Sequence, residues 1–189
     1  MPLQYTNSKK QTYYLHVGKT KKGNPRYYFS MKSEGQLADS IPQGYEIYEN
    51  PNAQVFLRKS KSKQIFDDEV ALVEFVIENH SDLRHYKIGI TKNLIQIFTP
   101  NQEIDELTQI FLPFRPAGFN ENSILRLMTY SPVMQFVLVN KEKRLFITKR
   151  YCFLGSVDDW IQISDEDTLE NLTRRYIKHI GKDSYYELF

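Results

Sequence analysis

Residues 13–32 read YYLHVGKTKKGNPRYYFSMK. Two tyrosine-rich runs flank a lysine-heavy break, and the way they pair decides the architecture of the N-terminal part of the chain. Residues 12–18 and 26–32 alternate as half-buried strands do. Tyr13, Leu15 and Val17 share one face of the first; Tyr27, Phe29 and Met31 share one face of the second. Gly23-Asn24-Pro25 supplies the turn between them. Setting Leu15 opposite Phe29 and Val17 opposite Tyr27 gathers the apolar side chains on one side. Burial then fixes the register, because a slip of one residue turns every side chain to the other face.

The same register sets His16 opposite Tyr28 and leaves Tyr14, Arg26, Ser30 and Lys32 around them. The second face is therefore aromatic and basic, and Lys19, Lys21 and Lys22 add a positive tip. Tyr14, His16, Lys19, Lys21, Lys22, Arg26, Tyr28 and Lys32 are accordingly the residues expected to meet nucleic acid or another polyanion. Single strands are bound by basic grooves with aromatic rings on which bases stack, each stacked base contributing about 1–3 kcal/mol. A two-stranded ribbon also fits the DNA major groove. The plain alternative is a covered Tyr14–Tyr28 cross-strand pair, with lysines that keep an edge soluble.

Charge is distributed unevenly along the 189 residues, whose net charge is +2. Residues 1–66 hold 11 Lys or Arg against 4 Asp or Glu, and residues 67–189 hold 14 against 19, so +7 faces −5. Such asymmetry suits either a basic part that meets an anion or two halves that attract each other. The polar, basic run KSKSKQ at residues 59–64 is the natural boundary between a basic β-hairpin module, 1–64, and a larger body, 65–189. The two fold either separately or as one unit.

A second hairpin is expected from residues 45–49 and 54–58 around Asn50-Pro51-Asn52, a type I turn sequence. Residues 33–44 read as a loop with room for one helical turn. Asp67-Asp68-Glu69 opens a helix that runs to about Asn79, its acids facing the positive end of the helix dipole. Its apolar residues leave Asp67, Glu74 and Glu78 for solvent. Strands follow at 86–91 and 94–99. Residues 100–122 read as a connection, with prolines at 113 and 116 arguing against a central strand. Further strands are expected at 125–130, 133–140 and 144–153. Ser164, with Asp167 three residues on, resembles a capping box for a final helix. Its apolar face is Leu169, Leu172, Tyr176, Ile177 and Ile180, and Gly181 can end it. The fold class is α+β, mostly antiparallel, with two main helices.

Recognisable chemistry is sparse. Gly18-Lys19-Thr20 imitates the end of a phosphate-binding loop, but that motif needs glycine at position 13, which is Tyr13, and a helix where Lys21–Pro25 makes a turn. The four histidines are scattered, and His80 and His85 read as surface or helix-end residues. With one cysteine, Cys152, set in an apolar run, neither a disulfide nor a zinc cluster is expected. No catalytic residue, metal site or cofactor is expected. Asp158 and Asp159 are adjacent carboxylates that suit a turn; the chemical alternative is a pair of metal ligands in a metal-dependent hydrolase acting on nucleic acid. A third reading is a protein-interaction module using residues 111–119, FLPFRPAGF, or the C-terminal SYYELF. No apolar run approaches the roughly 20 residues of a membrane helix, and the N-terminus lacks a signal-peptide core, so a cytoplasmic protein without a membrane partner is expected.

The run YYLHVGKTKKGNPRYYFSMK, with IPQGYEIYENPNAQVFLRK after it, is similar to the start of a group of bacterial proteins to which no function is attached. That resemblance covers about the first 60 residues, implies a bacterial, cytoplasmic setting, and brings no catalytic residue with it. The leading expectation is a non-enzymatic protein whose N-terminal hairpin binds nucleic acid or another polyanion.

Overall fold

The computed structural model describes residues 1–111, 121–154 and 157–188, with the backbone alone for Phe111, Glu121, Phe153, Leu154, Val157 and Asp158. The fold is α+β, and every strand pair among the described residues is antiparallel. It divides into two compact units, residues 1–61 with 103–128 and residues 62–102 with 129–189.

The first unit holds strands β1 (Gln4–Thr6), β2 (Thr12–Lys19) and β3 (Pro25–Ser30), in the order β1-β2-β3, and a separate hairpin of β4 (Tyr45–Glu49) and β5 (Val55–Lys59). Pairing of β2 with β3 follows the register dictated by burial: Leu15 faces Phe29, His16 faces Tyr28 and Val17 faces Tyr27. Alternation and turn chemistry act on neighbouring residues, which is why this pairing is readable locally. Not so β1, whose three residues carry no pattern. Its turn back to β2 is closed by Asn7, whose N–H donates to Gln11 O at 3.0 Å and whose Oδ1 accepts from Gln11 N–H at 2.8 Å. Asn50 and Gln54 close the β4–β5 turn in the same manner, with Ala53 in the left-handed region at φ 63°. The two turns meet where Asn7 Nδ2 donates to Ala53 O at 2.8 Å.

Two helices of this unit were not expected. Helix α2 (Ile104–Phe111) lies in what reads as a connection, and helix α3 (Glu121–Leu127) replaces the strand expected at 125–130. Ile124 and Met128, four residues apart, are both buried, which is helical spacing. Residues 33–44 contain no helix.

In the second unit, helix α1 (Asp67–His80) precedes strands β6 (Lys87–Thr91) and β7 (Leu94–Pro100). Strands β8 (Tyr130–Asn140), β9 (Leu145–Leu154), β10 (Val157–Gln162) and β11 (Asp167–Thr168) follow, then helix α4 (Leu169–Tyr176). The sheet runs β10-β9-β8-β7-β6, with β11 also on β9. Helices α1 and α4 share a core with Ile95 and Ile97 of β7, Met134, Phe136 and Leu138 of β8, and Phe146 of β9. Val73, Val76 and Ile77 carry the buried side of α1, but Phe75 faces solvent beside Glu74 and Glu78. The start of α1 is secured by Glu69, which accepts from Phe66 N–H at 2.8 Å and pairs with Arg144.

Two local expectations are corrected here. Residues 158 and 159 belong to strand β10, not to a turn. The cap of the last helix is Thr168, not Ser164: Thr168 Oγ1 accepts from Asn171 N–H, while Ser164 Oγ accepts from Thr148 N–H at 2.7 Å. After α4 comes a 3-10 turn, Ile177–His179, and Gly181 takes the left-handed conformation at φ 81°. Among the described residues, no helix is long and apolar enough to cross a membrane.

Candidate nucleic-acid interface

The β2–β3 turn holds Lys21 and Lys22 in its two central positions. Thr20 N–H donates to Asn24 O at 2.8 Å, Gly23 N–H donates to Thr20 O at 2.9 Å, and Asn24 N–H donates to Thr20 Oγ1 at 3.1 Å. The fourth turn residue must be left-handed, and Gly23 meets this with φ 83°. Pro25 then presets the start of β3. The turn thus fixes the backbone and leaves the lysine side chains exposed.

Of the eight residues singled out in the sequence, Lys19, Lys21, Lys22, Arg26, Tyr28 and Lys32 are exposed and Tyr14 is half-buried. His16 differs from the expected surface position, being only 5% exposed. The cause is the segment after β3: residues 36–38 return alongside β2, with Val17 N–H donating to Gln36 O and Ala38 N–H donating to Leu15 O. His16 pairs with Leu37 on that side, and its Nε2 lies 2.9 Å from Lys32 O. A carbonyl only accepts, so this nitrogen carries the proton. A Cβ on Gly35 would stand 3.7 Å from His16 Nδ1, which shows how closely the loop passes.

His16 in turn supports Tyr28. The two rings stack with centroids 5.1 Å apart and planes within 13°. Tyr28 also lies along Gly18, where an added Cβ would be 3.6 Å from its Cε1. The tyrosine ring therefore rests on the sheet and is 45% exposed. Arg26 is two residues away on the same face of β3, about 6.6 Å along the strand.

Acidic side chains of the first 61 residues are mostly engaged elsewhere. Glu46 accepts from Arg58 Nε at 2.7 Å, and Glu49 accepts from Tyr5 Oη–H and Ser8 N–H, each at 2.9 Å. Burial, and then the bond to and charge of Glu49, raise the Tyr5 hydroxyl above its ordinary pKa. Asp39 lies 3.9 Å from the amino terminus, and Glu34 is exposed two residues past Lys32. Lys9 is also committed, its ammonium donating to Met128 O at 3.0 Å. By contrast, Lys19, Lys21, Lys22, Arg26 and Lys32 form no salt bridge among the described residues.

A second aromatic and cationic group escaped the sequence reading. On the β4–β5 hairpin, Tyr48 faces Phe56, and the Arg58 guanidinium lies 4.0 Å over the Tyr48 ring. Placing the Asn50 turn already implies the Tyr48–Phe56 pair; the folding of Arg58 back onto Tyr48 is a diagonal contact with no sequence signature.

The alternative sites fare differently. Among the described residues no group of three or more His, Cys, Asp or Glu is arranged to hold a metal ion. Asp159 is exposed and its Oδ1 accepts from Trp160 N–H at 2.7 Å; the Asp158 side chain lies outside the described set. Residues 112–119 of the proposed FLPFRPAGF contact segment lie outside it as well. The C-terminal segment is engaged within its own unit: Tyr185 is buried, with its hydroxyl donating to Val133 O, and the buried Arg150 donates from Nε to Leu188 O at 2.7 Å.

Descent offers no guide to the site: no family model, no curated protein and no solved structure matches the chain.

Proposed function

We propose that the protein binds nucleic acid, or a polyanion of similar charge spacing, through the β2–β3 hairpin. The observation that carries this reading is the set of exposed cations without an ion pair among the described residues: Arg26 on the face that bears the supported ring of Tyr28, and Lys19, Lys21, Lys22 and Lys32 at the two ends of the same hairpin. Exposed cations without partners meet phosphate oxygens with little desolvation cost, and each phosphate neutralised releases a counterion. Tyr14 borders the face, and His16 acts from beneath it.

The test is fluorescence anisotropy with short oligonucleotides at several salt concentrations, comparing the natural chain with Lys19→Glu/Lys21→Glu/Lys22→Glu. Log affinity is expected to fall linearly with log salt. Losing three phosphate contacts should lower the magnitude of that slope by about 2.1–2.7, since each contributes about 0.7–0.9. An unchanged slope and affinity in the variant would remove the hairpin from consideration.

A further inference from the structure

We infer that the ligand of this face is a single strand, and that one of its bases stacks on the open side of the Tyr28 ring. The inference rests on the nucleic-acid reading above and adds the strandedness of the ligand and the role of one residue.

The alternative is insertion of the hairpin into a duplex groove, and the strand layout decides between them. Along residues 14–17, β2 is flanked on both edges, by β3 on one side and by β1 and residues 36–38 on the other. Three strands about 4.8 Å apart span about 10 Å between the outer backbones before any side chain is added. A major groove is about 12 Å wide. Only the section from Gly18 to Arg26 projects as a two-stranded ribbon narrow enough to enter. Tyr28 lies outside that section, opposite His16, whose other neighbour is Leu37. A ribbon tip in a groove would leave Tyr28 without a partner.

Tyr28 has the form that stacking needs. His16 covers one side of its ring and Gly18 lies against the Cε1 edge, and the exposure that remains belongs to the side away from His16. The ring is held flat, so a base docks without first ordering it. Bases present their faces only when unstacked from a duplex, and stacking is tolerant of sequence because every base has a π-face. Arg26 on the same strand face, with Lys19, Lys21 and Lys22 beyond it, then follows the backbone of the strand.

Four ligands test this by anisotropy at one low salt concentration: a DNA strand and an RNA strand of about ten nucleotides, the matching DNA duplex, and an abasic strand of equal length. Tyr28→Leu and Tyr28→Phe are compared with the natural chain and the triple lysine variant, with thermal melts to establish that each is folded. Single strands are expected to bind at least as tightly as the duplex. Tyr28→Leu should weaken them by about ten-fold, Tyr28→Phe should weaken them little, and neither should change binding of the abasic strand. If the duplex binds more tightly, or if Tyr28→Leu leaves single-strand affinity unchanged while the lysine variant lowers it, the stacking inference fails and the polyanion reading survives. If no ligand binds, both fail.

Discussion

In the proposed site, His16 acts from beneath the surface and not on it. Its imidazole is buried, donates to Lys32 O and carries the Tyr28 ring. Replacing it by alanine removes the stacked support and leaves the Lys32 carbonyl without this donor. Lys32 is exposed, so water can take the place of this donor, and the lost bond costs about 0.5–1.5 kcal/mol. His16→Ala is therefore expected to lower the urea midpoint of the protein and to weaken ligand binding through a mobile Tyr28. Single-strand affinity of a folded His16→Ala variant matching the natural chain would mean that Tyr28 needs no support. Sequence alternation places His16 opposite Tyr28, but alternation describes two strands only. What buries His16 is the return of residues 36–38, with Gly35 left-handed at φ 107° just before it, a backbone path that no periodic pattern announces.

Elements differ in how far their sequences specify them. In β9, Thr148 is fully buried opposite Phe136 of β8, and its Oγ1 has no hydrogen-bond partner among the described residues. A buried hydroxyl without a partner costs stability, whereas an apolar group of the same shape does not. Thr148→Val is expected to stabilise the protein by about 1 kcal/mol, measured as a higher urea midpoint at unchanged slope; a lower midpoint would mean that the hydroxyl is satisfied. The two hairpins and α1 are legible because alternation, turn residues and first-turn acids act within ten residues of each other. Helix α4 is legible from its apolar face, yet its start is misread, because Ser164 spends its hydroxyl on a β9 amide and Thr168 caps instead. Ile104, Leu107 and Phe111 do mark α2 at helical spacing, but the prolines that follow draw the reading towards a loop. In α3 the run from Ile124 to Met128 suits a strand as well as a helix until tertiary burial chooses.

For the molecule as a whole, pairing across long sequence separations sets what the residues alone do not reveal. The grouping of residues 103–128 with the first 61 has no local signal, and β10 joins the sheet through Asp158 and Asp159, whose composition favours turns. The closing segment of the chain also ties its unit together: Tyr185 donates to Val133 O in β8 and lies near Arg150 of β9. Burial pushes the Tyr185 hydroxyl up to about 12, against the opposing pull of the Arg150 charge. An ordinary tyrosine titrates near 10. The folded state thus holds this proton more tightly than the unfolded chain, and the resulting stability is complete below about pH 10. It declines as pH rises from about 10 towards 12 and is gone above that, because the unfolded chain then loses the proton first. Burial raises Tyr5, Tyr86 and Tyr130 in the same direction, so alkaline pH weakens both units by one mechanism. Tyr185→Phe should cost about 1 kcal/mol at pH 8 through the lost hydrogen bond, and then lose less stability than the natural chain between pH 10 and 12. Urea midpoints at pH 8, 10 and 11 measure this. Parallel decline of the two proteins would show that Tyr185 titrates freely, and with it that the C-terminal segment does not stay docked on β8 and β9.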